Sequence, residues 1–156
     1  MEEKELNKNI NLYNRKALYY ETDQMGIIHH SNYIRWFEES RIDFLDQIGF
    51  GYKIMEDSGI ISPVMSVSCQ YKSMVHFDDK VIIVPKIETF TGVKLIISYR
   101  VIDSTTKEIR TTGLSTHCFL NKNGRPVSLK RENEEMYHAI EEFIGVDILE
   151  ETLANF

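Results

Sequence analysis

The chain has 156 residues, is 42% hydrophobic and 27% charged, and carries a formal net charge of -6. That length suits one domain with one core, the composition is that of an ordinary globular protein, and the acidic balance argues against nucleic acid, whose phosphates need a basic surface. No run reaches the roughly 18 apolar residues of a membrane helix, and Met1 to Asn11 is polar without a signal-peptide core, so the expectation is a cytoplasmic protein with no membrane span.

In chain order, Leu12 to Tyr20 is mostly apolar and aromatic and reads as a first strand. Thr22, Asp23 and Gly26 break it. A helix follows, with Ser31 or Asn32 as N-cap and Gly49 as stop, and its apolar positions Tyr33, Trp36, Phe37, Phe44, Leu45 and Ile48 form a wide aromatic face. Tyr52 to Asp57 is a second, short helical pattern. From Ile60 the period becomes two: Met65, Val67, Cys69 and Tyr71 alternate with Ser66, Ser68, Gln70 and Lys72, the pattern of a strand with one buried face. Lys80 to Phe90 is the next strand, where Pro85 points to an edge or a bulge. Thr91-Gly92 marks a hairpin, Leu95 to Val101 alternates again, and Glu108 to Leu120 is the last strand before the Asn121 to Pro126 turn. Arg131 to Ile144 returns to helical spacing.

Strands joined by hairpin-length turns imply an antiparallel sheet, and the early helix must bury its aromatic face against it. The fold class is therefore α+β, one domain over 1–156, with 1–10 and 145–156 as candidate flexible ends, the latter alternatively a packing arm. Cys69 and Cys118 lie far apart without metal-ligand spacing and read as unpaired residues of a reducing compartment. No metal site is expected: the neighbours His29 and His30 lack a third ligand at suitable spacing.

The chemistry gathers between the first strand and the long helix. Asp23, His29 and His30 lie beside the N–H groups that a helix start leaves unpaired, where an anion, or an oxygen that becomes anionic, is favoured. That layout suits acyl transfer. The stretch Tyr20-Glu21-Thr22-Asp23-Gln24-Met25-Gly26-Ile27-Ile28-His29-His30-Ser31-Asn32-Tyr33, followed by Trp36-Phe37-Glu38 and Arg41, resembles the signature of hotdog-fold thioesterases of the 4-hydroxybenzoyl-CoA thioesterase type, in particular the bacterial acyl-CoA thioester hydrolase branch.

The resemblance implies a five-stranded antiparallel sheet wrapped around a long central helix, with a C-terminal helix, paired into homodimers or homotetramers by continuing the sheet. It implies hydrolysis of an acyl-CoA or of an acyl group on a pantetheine carrier protein, with coenzyme A as part of the substrate and no cofactor. Asp23 falls on the catalytic carboxylate, as nucleophile or general base, and the His30 main-chain N–H on the donor that polarises the carbonyl. His29 is a secondary catalytic candidate. Tyr20 and Asn32 are candidates for holding Asp23 or water, and Lys72, Lys94 and Arg125 for the phosphates of coenzyme A. Glu38 is a candidate for facing a partner subunit, and His117 reads as a buried, hydrogen-bonded histidine. Two alternatives stand beside hydrolysis: an acyl-thioester hydratase or dehydratase on the same fold, and a non-catalytic acyl-CoA sensor.

Overall fold

The structure, a computed structural model, describes residues 9–150. Five antiparallel strands form one sheet in the order β1-β3-β4-β5-β2: β1 (Tyr13–Lys16), β2 (Val64–Tyr71), β3 (Lys80–Phe90), β4 (Lys94–Asp103) and β5 (Ile109–Cys118). One face of that sheet carries the long helix α1 (Ser31–Gln47). A short α2 (Tyr52–Asp57) leads from α1 into β2, while α3 (Leu129–Glu132) and α4 (Glu134–Glu141) follow β5.

The buried positions of α1, Asn32, Tyr33, Trp36, Phe37, Ser40, Arg41, Phe44 and Leu45, recur at three- and four-residue spacing, so one stripe is pressed on the sheet. Phe37 stacks on Tyr99 of β4 with ring centroids 4.5 Å apart. The same ring lies over Gly113 of β5, where an added Cβ would come within 2.2 Å of it. Burying Trp36 and Phe37 completely is worth about 1.5–3 kcal/mol each. At its C-terminus α1 stops as the sequence indicates: Gly49 takes φ +93°, and the Phe50 N–H reaches back to the Leu45 carbonyl at 2.9 Å.

Four local expectations are revised. The first strand ends at Lys16, and Tyr19–Glu21 forms a single 3-10 turn, because the Glu21 carboxylate accepts the Leu18 N–H and folds the chain back. The N-cap of α1 is His30, one residue earlier than the serine. Pro85 is in an interior strand, but just beyond the stretch of β3 that β1 pairs with, Lys80 to Ile83; the bulge lies further on, between Ile87 and Thr89. The last helical pattern is two pieces, since Asn133 breaks it and its side chain caps α4 by accepting the Met136 N–H at 3.1 Å.

Beyond β1, the free edge of β3 meets the segment after α4, where the Gly145 N–H donates to the Ile87 carbonyl at 2.8 Å. From there the chain crosses the sheet as an arm, with Asp147 paired to Arg100 of β4 at 2.6 Å and Ile148 buried. The opposite edge is different. β2 alternates as its sequence indicates, yet its apolar side is not covered in the single chain: Met65 and Tyr71 are exposed and Val67 and Cys69 half-buried. Both cysteines are free thiols.

Candidate active site

The segment Thr22–Ile28 is a small hairpin closed by a bridge between its two end residues. Inside it the Asp23 N–H donates to the Ile27 carbonyl at 2.9 Å, and the Gly26 N–H to the Asp23 carbonyl at 3.0 Å. One carboxylate oxygen of Asp23, Oδ1, accepts the Met25 N–H at 2.8 Å. This local turn holds the side chain and leaves Oδ2 without a protein donor among the described residues.

The hairpin delivers the chain to the start of α1. The Ser31 N–H donates to His29 Nδ1 at 3.2 Å, and the Asn32 N–H to the His29 carbonyl at 3.0 Å. The N–H of His30, between them, has no acceptor among the described residues. On the other side of this turn the Tyr71 hydroxyl donates to the His30 carbonyl at 3.2 Å. Although the ring is half exposed, partial desolvation of its hydroxyl and the neighbouring Cys69 thiol push the Tyr71 phenol up to about 12, so it stays a neutral donor through the ordinary pH range.

Asp23 and His30 line one cavity of about 340 Å³, with Met25, Ile27, Ile28 and Met74 as apolar wall, the tyrosines Tyr33 and Tyr71, and Lys72 and Ser73. The residues that carry a carboxylate, an unpaired helix-start N–H and one cation thus line the same mostly apolar space. Such a space takes an acyl chain, and the N–H accommodates an oxygen that gains charge.

Behind the cavity lies a buried clamp. Glu21 accepts from Arg15 Nη1 at 2.5 Å and Leu18 N at 2.9 Å through Oε1, and from Trp36 Nε1 at 2.8 Å through Oε2. Its carbonyl accepts from His29 N at 2.8 Å and Asn32 Nδ2 at 2.9 Å. Burial alone would raise the Glu21 carboxyl, but the guanidinium and the two N–H donors outweigh it and hold the group below its usual range. Arg15 also binds Glu39 at 2.6 Å and lies over the Trp36 ring, 5.0 Å from its centroid.

Of the residues singled out in the sequence, Asp23, His30 and Lys72 come together on the cavity wall. His29 stacks on His30, centroids 4.1 Å apart, and its Nδ1 is engaged with Ser31. Asn32 is buried and uses its amide to donate to the Glu21 and His29 carbonyls, so it ties the loop together rather than facing the cavity. Tyr20 is exposed and is not on the wall. Lys94 and Arg125 are not brought to it either: Lys94 pairs with Cys118 in the ladder of β4 with β5, whose other end carries Thr111, the neighbour of Tyr71. Glu38 is exposed. Tyr33, Tyr71, Met25 and Met74 carry no site signal in the sequence, because nothing in a linear pattern distinguishes a cavity wall from a core.

His117 is buried as expected, away from this cavity. Arg41 Nη1 donates to the Tyr99 hydroxyl at 3.1 Å, the Tyr99 and Ser115 hydroxyls are 2.7 Å apart, and Ser115 Oγ is 2.7 Å from His117 Nε2. Burial and then the Arg41 charge push His117 down to about 4, so it is neutral at physiological pH. Among the described residues no group of His, Cys, Asp and Glu side chains has the arrangement of a metal site, and no helix is long and apolar enough to cross a membrane.

The model of the thioesterase-like superfamily matches residues 18–149. The chain is 31% identical to YneP of Bacillus subtilis, named as a candidate acyl-CoA thioesterase, over 79% of this chain and 89% of that protein. A crystal structure of DHNA-CoA thioesterase from Staphylococcus aureus superposes with a TM-score of 0.80 at 31% identity, covering 85% of this chain and 89% of that one. A crystal structure of a hypothetical protein from Aquifex aeolicus does so with a TM-score of 0.75 at 34% identity, over 81% and 98% of the two chains. The sheet wrapped on α1 accords with these matches, and the chain belongs to the thioesterase-like superfamily, a thioester hydrolase on the hotdog fold.

Proposed function

We propose that the protein is a cytoplasmic acyl-CoA thioesterase, and that the acyl-pantetheine end of its substrate enters the cavity between the Asp23 loop and Tyr71. The observation that carries this reading is that Asp23 and His30, whose N–H is unpaired among the described residues, line the same cavity. The thioester carbonyl oxygen accepts from His30 N–H and gains negative charge as its carbon is attacked; one such donor is worth about 3 kcal/mol of barrier. Asp23 Oδ2 either attacks the carbon, giving a mixed anhydride that water then opens, or takes the proton of the attacking water. In both routes the C–S bond breaks, the thiol leaves with a proton, and the acid is released. Lys72, exposed at the rim, faces the phosphate-bearing end of the substrate.

A second copy of the chain completes this reading. The edge strand β2 offers unpaired backbone groups beside exposed Val64 and Met65, a surface that antiparallel pairing with another β2 covers. The similarity to the Staphylococcus enzyme favours an aromatic acyl group, which Tyr33, Tyr71 and the two methionines suit. The test is thiol release from aromatic, short and long acyl-CoA esters, alongside an enoyl-CoA checked for hydration. Turnover to acid and thiol, fastest with an aromatic ester, is expected; binding without turnover, or hydration alone, contradicts the reading.

A further inference from the structure

Asp23 lies inside the Thr22–Ile28 hairpin and His30 two residues beyond it, at the start of α1, so their geometry depends on how the hairpin is seated against the helix. Glu21 seats it. Through Oε1 it holds Arg15 of β1 and the Leu18 N–H; through Oε2, the Trp36 indole in the second turn of α1; through its carbonyl, the His29 N–H and the Asn32 amide. Sheet, helix and both arms of the loop meet on this one buried residue. An apolar side chain of similar volume often replaces a buried charge with little loss of stability, but it supplies no fixed directions. We propose that Glu21 is a positioning residue for the hydrolysis, setting the distance and angle between the Asp23 carboxylate and the His30 N–H without touching the substrate. The inference rests on the reading of Asp23 as the reacting carboxylate.

The test compares wild type, Glu21→Gln, Asp23→Asn and the double variant for kcat and KM with the best aromatic acyl-CoA, with melting curves to confirm folding. Glutamine keeps the size of Glu21 but turns an NH2 towards a donor, so at least one contact is lost. Since a misplacement near 1 Å costs about 100-fold in rate, Glu21→Gln is expected to lower kcat by roughly 10- to 100-fold with KM within about threefold. In the Asp23→Asn background the same change adds less than about twofold, because its effect runs through Asp23. If Asp23→Asn leaves no measurable rate, the split between kcat and KM in the single variant decides. Trp36→Phe, which removes the indole donor and some buried ring volume but leaves Arg15 and the Leu18 N–H on Glu21, lowers kcat in the same direction by less, and it carries the test alone if Glu21→Gln does not fold. A folded Glu21→Gln or Trp36→Phe enzyme with wild-type kcat, or a full multiplicative loss in the double variant, overturns the positioning role. Asp23→Asn turning over as fast as wild type overturns the underlying reading and this role with it.

Discussion

Two polar networks are buried against the same helix. At the start of α1, Arg15 stands between the carboxylates of Glu21 and Glu39, and main-chain groups of the loop hang from Glu21. Further along, the Arg41 guanidinium is buried against the Tyr99 hydroxyl, and among the described residues no carboxylate pairs with it; the chain of hydroxyls ends at a neutral His117. The first network runs out through backbone groups into an open cavity. The second is closed on itself and joins α1 to β4 and β5. A strongly shifted histidine therefore marks a core device here, and the site is marked by a carboxylate and an unpaired N–H sharing a wall.

The largest loss is expected in the first network, from Arg15→Met. Removing the cation leaves two carboxylates facing each other, one of them buried, and uncompensated buried charge costs about 3–5 kcal/mol. Denaturant unfolding near pH 7 should show that loss, and kcat should fall with it. A variant as stable as wild type would mean that Glu21 and Glu39 do not depend on Arg15.

The second network has its own pH signature. His117 is pushed down from 6.5 to about 4 on folding, so between these values the unfolded chain binds more protons and stability rises with pH. The contribution is complete above pH 6.5 and is lost as pH falls towards 4, on the order of 3 kcal/mol across that window. Glu21, held below its usual range of 4.5, loses its own contribution only as pH falls further. Unfolding free energies measured from pH 7 to 4 should flatten in His117→Gln and keep their slope in Glu21→Gln. An unchanged slope in His117→Gln would contradict the assignment. A smaller effect is expected for Ser115→Ala, which takes the hydroxyl partner from His117 Nε2 and leaves Tyr99 with Arg41 alone, at about 2 kcal/mol and with kcat unchanged. A fall in kcat there would join the two networks functionally.

The aromatic stripe of α1 and its glycine stop are legible because helix period and end signals are local. Asp23 and His30 are legible as a pair because the short loop keeps them together in sequence as well as in space. The end of β1 is not legible: Tyr19 and Tyr20 look strand-like, and what turns the chain is a glutamate bonded to Arg15 and Trp36, the latter 15 positions away. Lys72, Lys94 and Arg125 look alike as cations near turns, and only the strand register separates the one at the cavity from the two elsewhere. The uncovered side of β2 is hidden for another reason, since alternation reports which side is apolar and not what covers it.

The most direct test of Asp23 as the reacting carboxylate is steady-state thiol release by Asp23→Asn beside wild type, with coenzyme A binding measured on both. The change keeps the side chain's size and removes the oxygen that has no protein donor. A loss of roughly 10²- to 10⁴-fold in kcat, with binding retained, is expected. Wild-type turnover in Asp23→Asn would contradict it and place the reacting group elsewhere on the cavity wall.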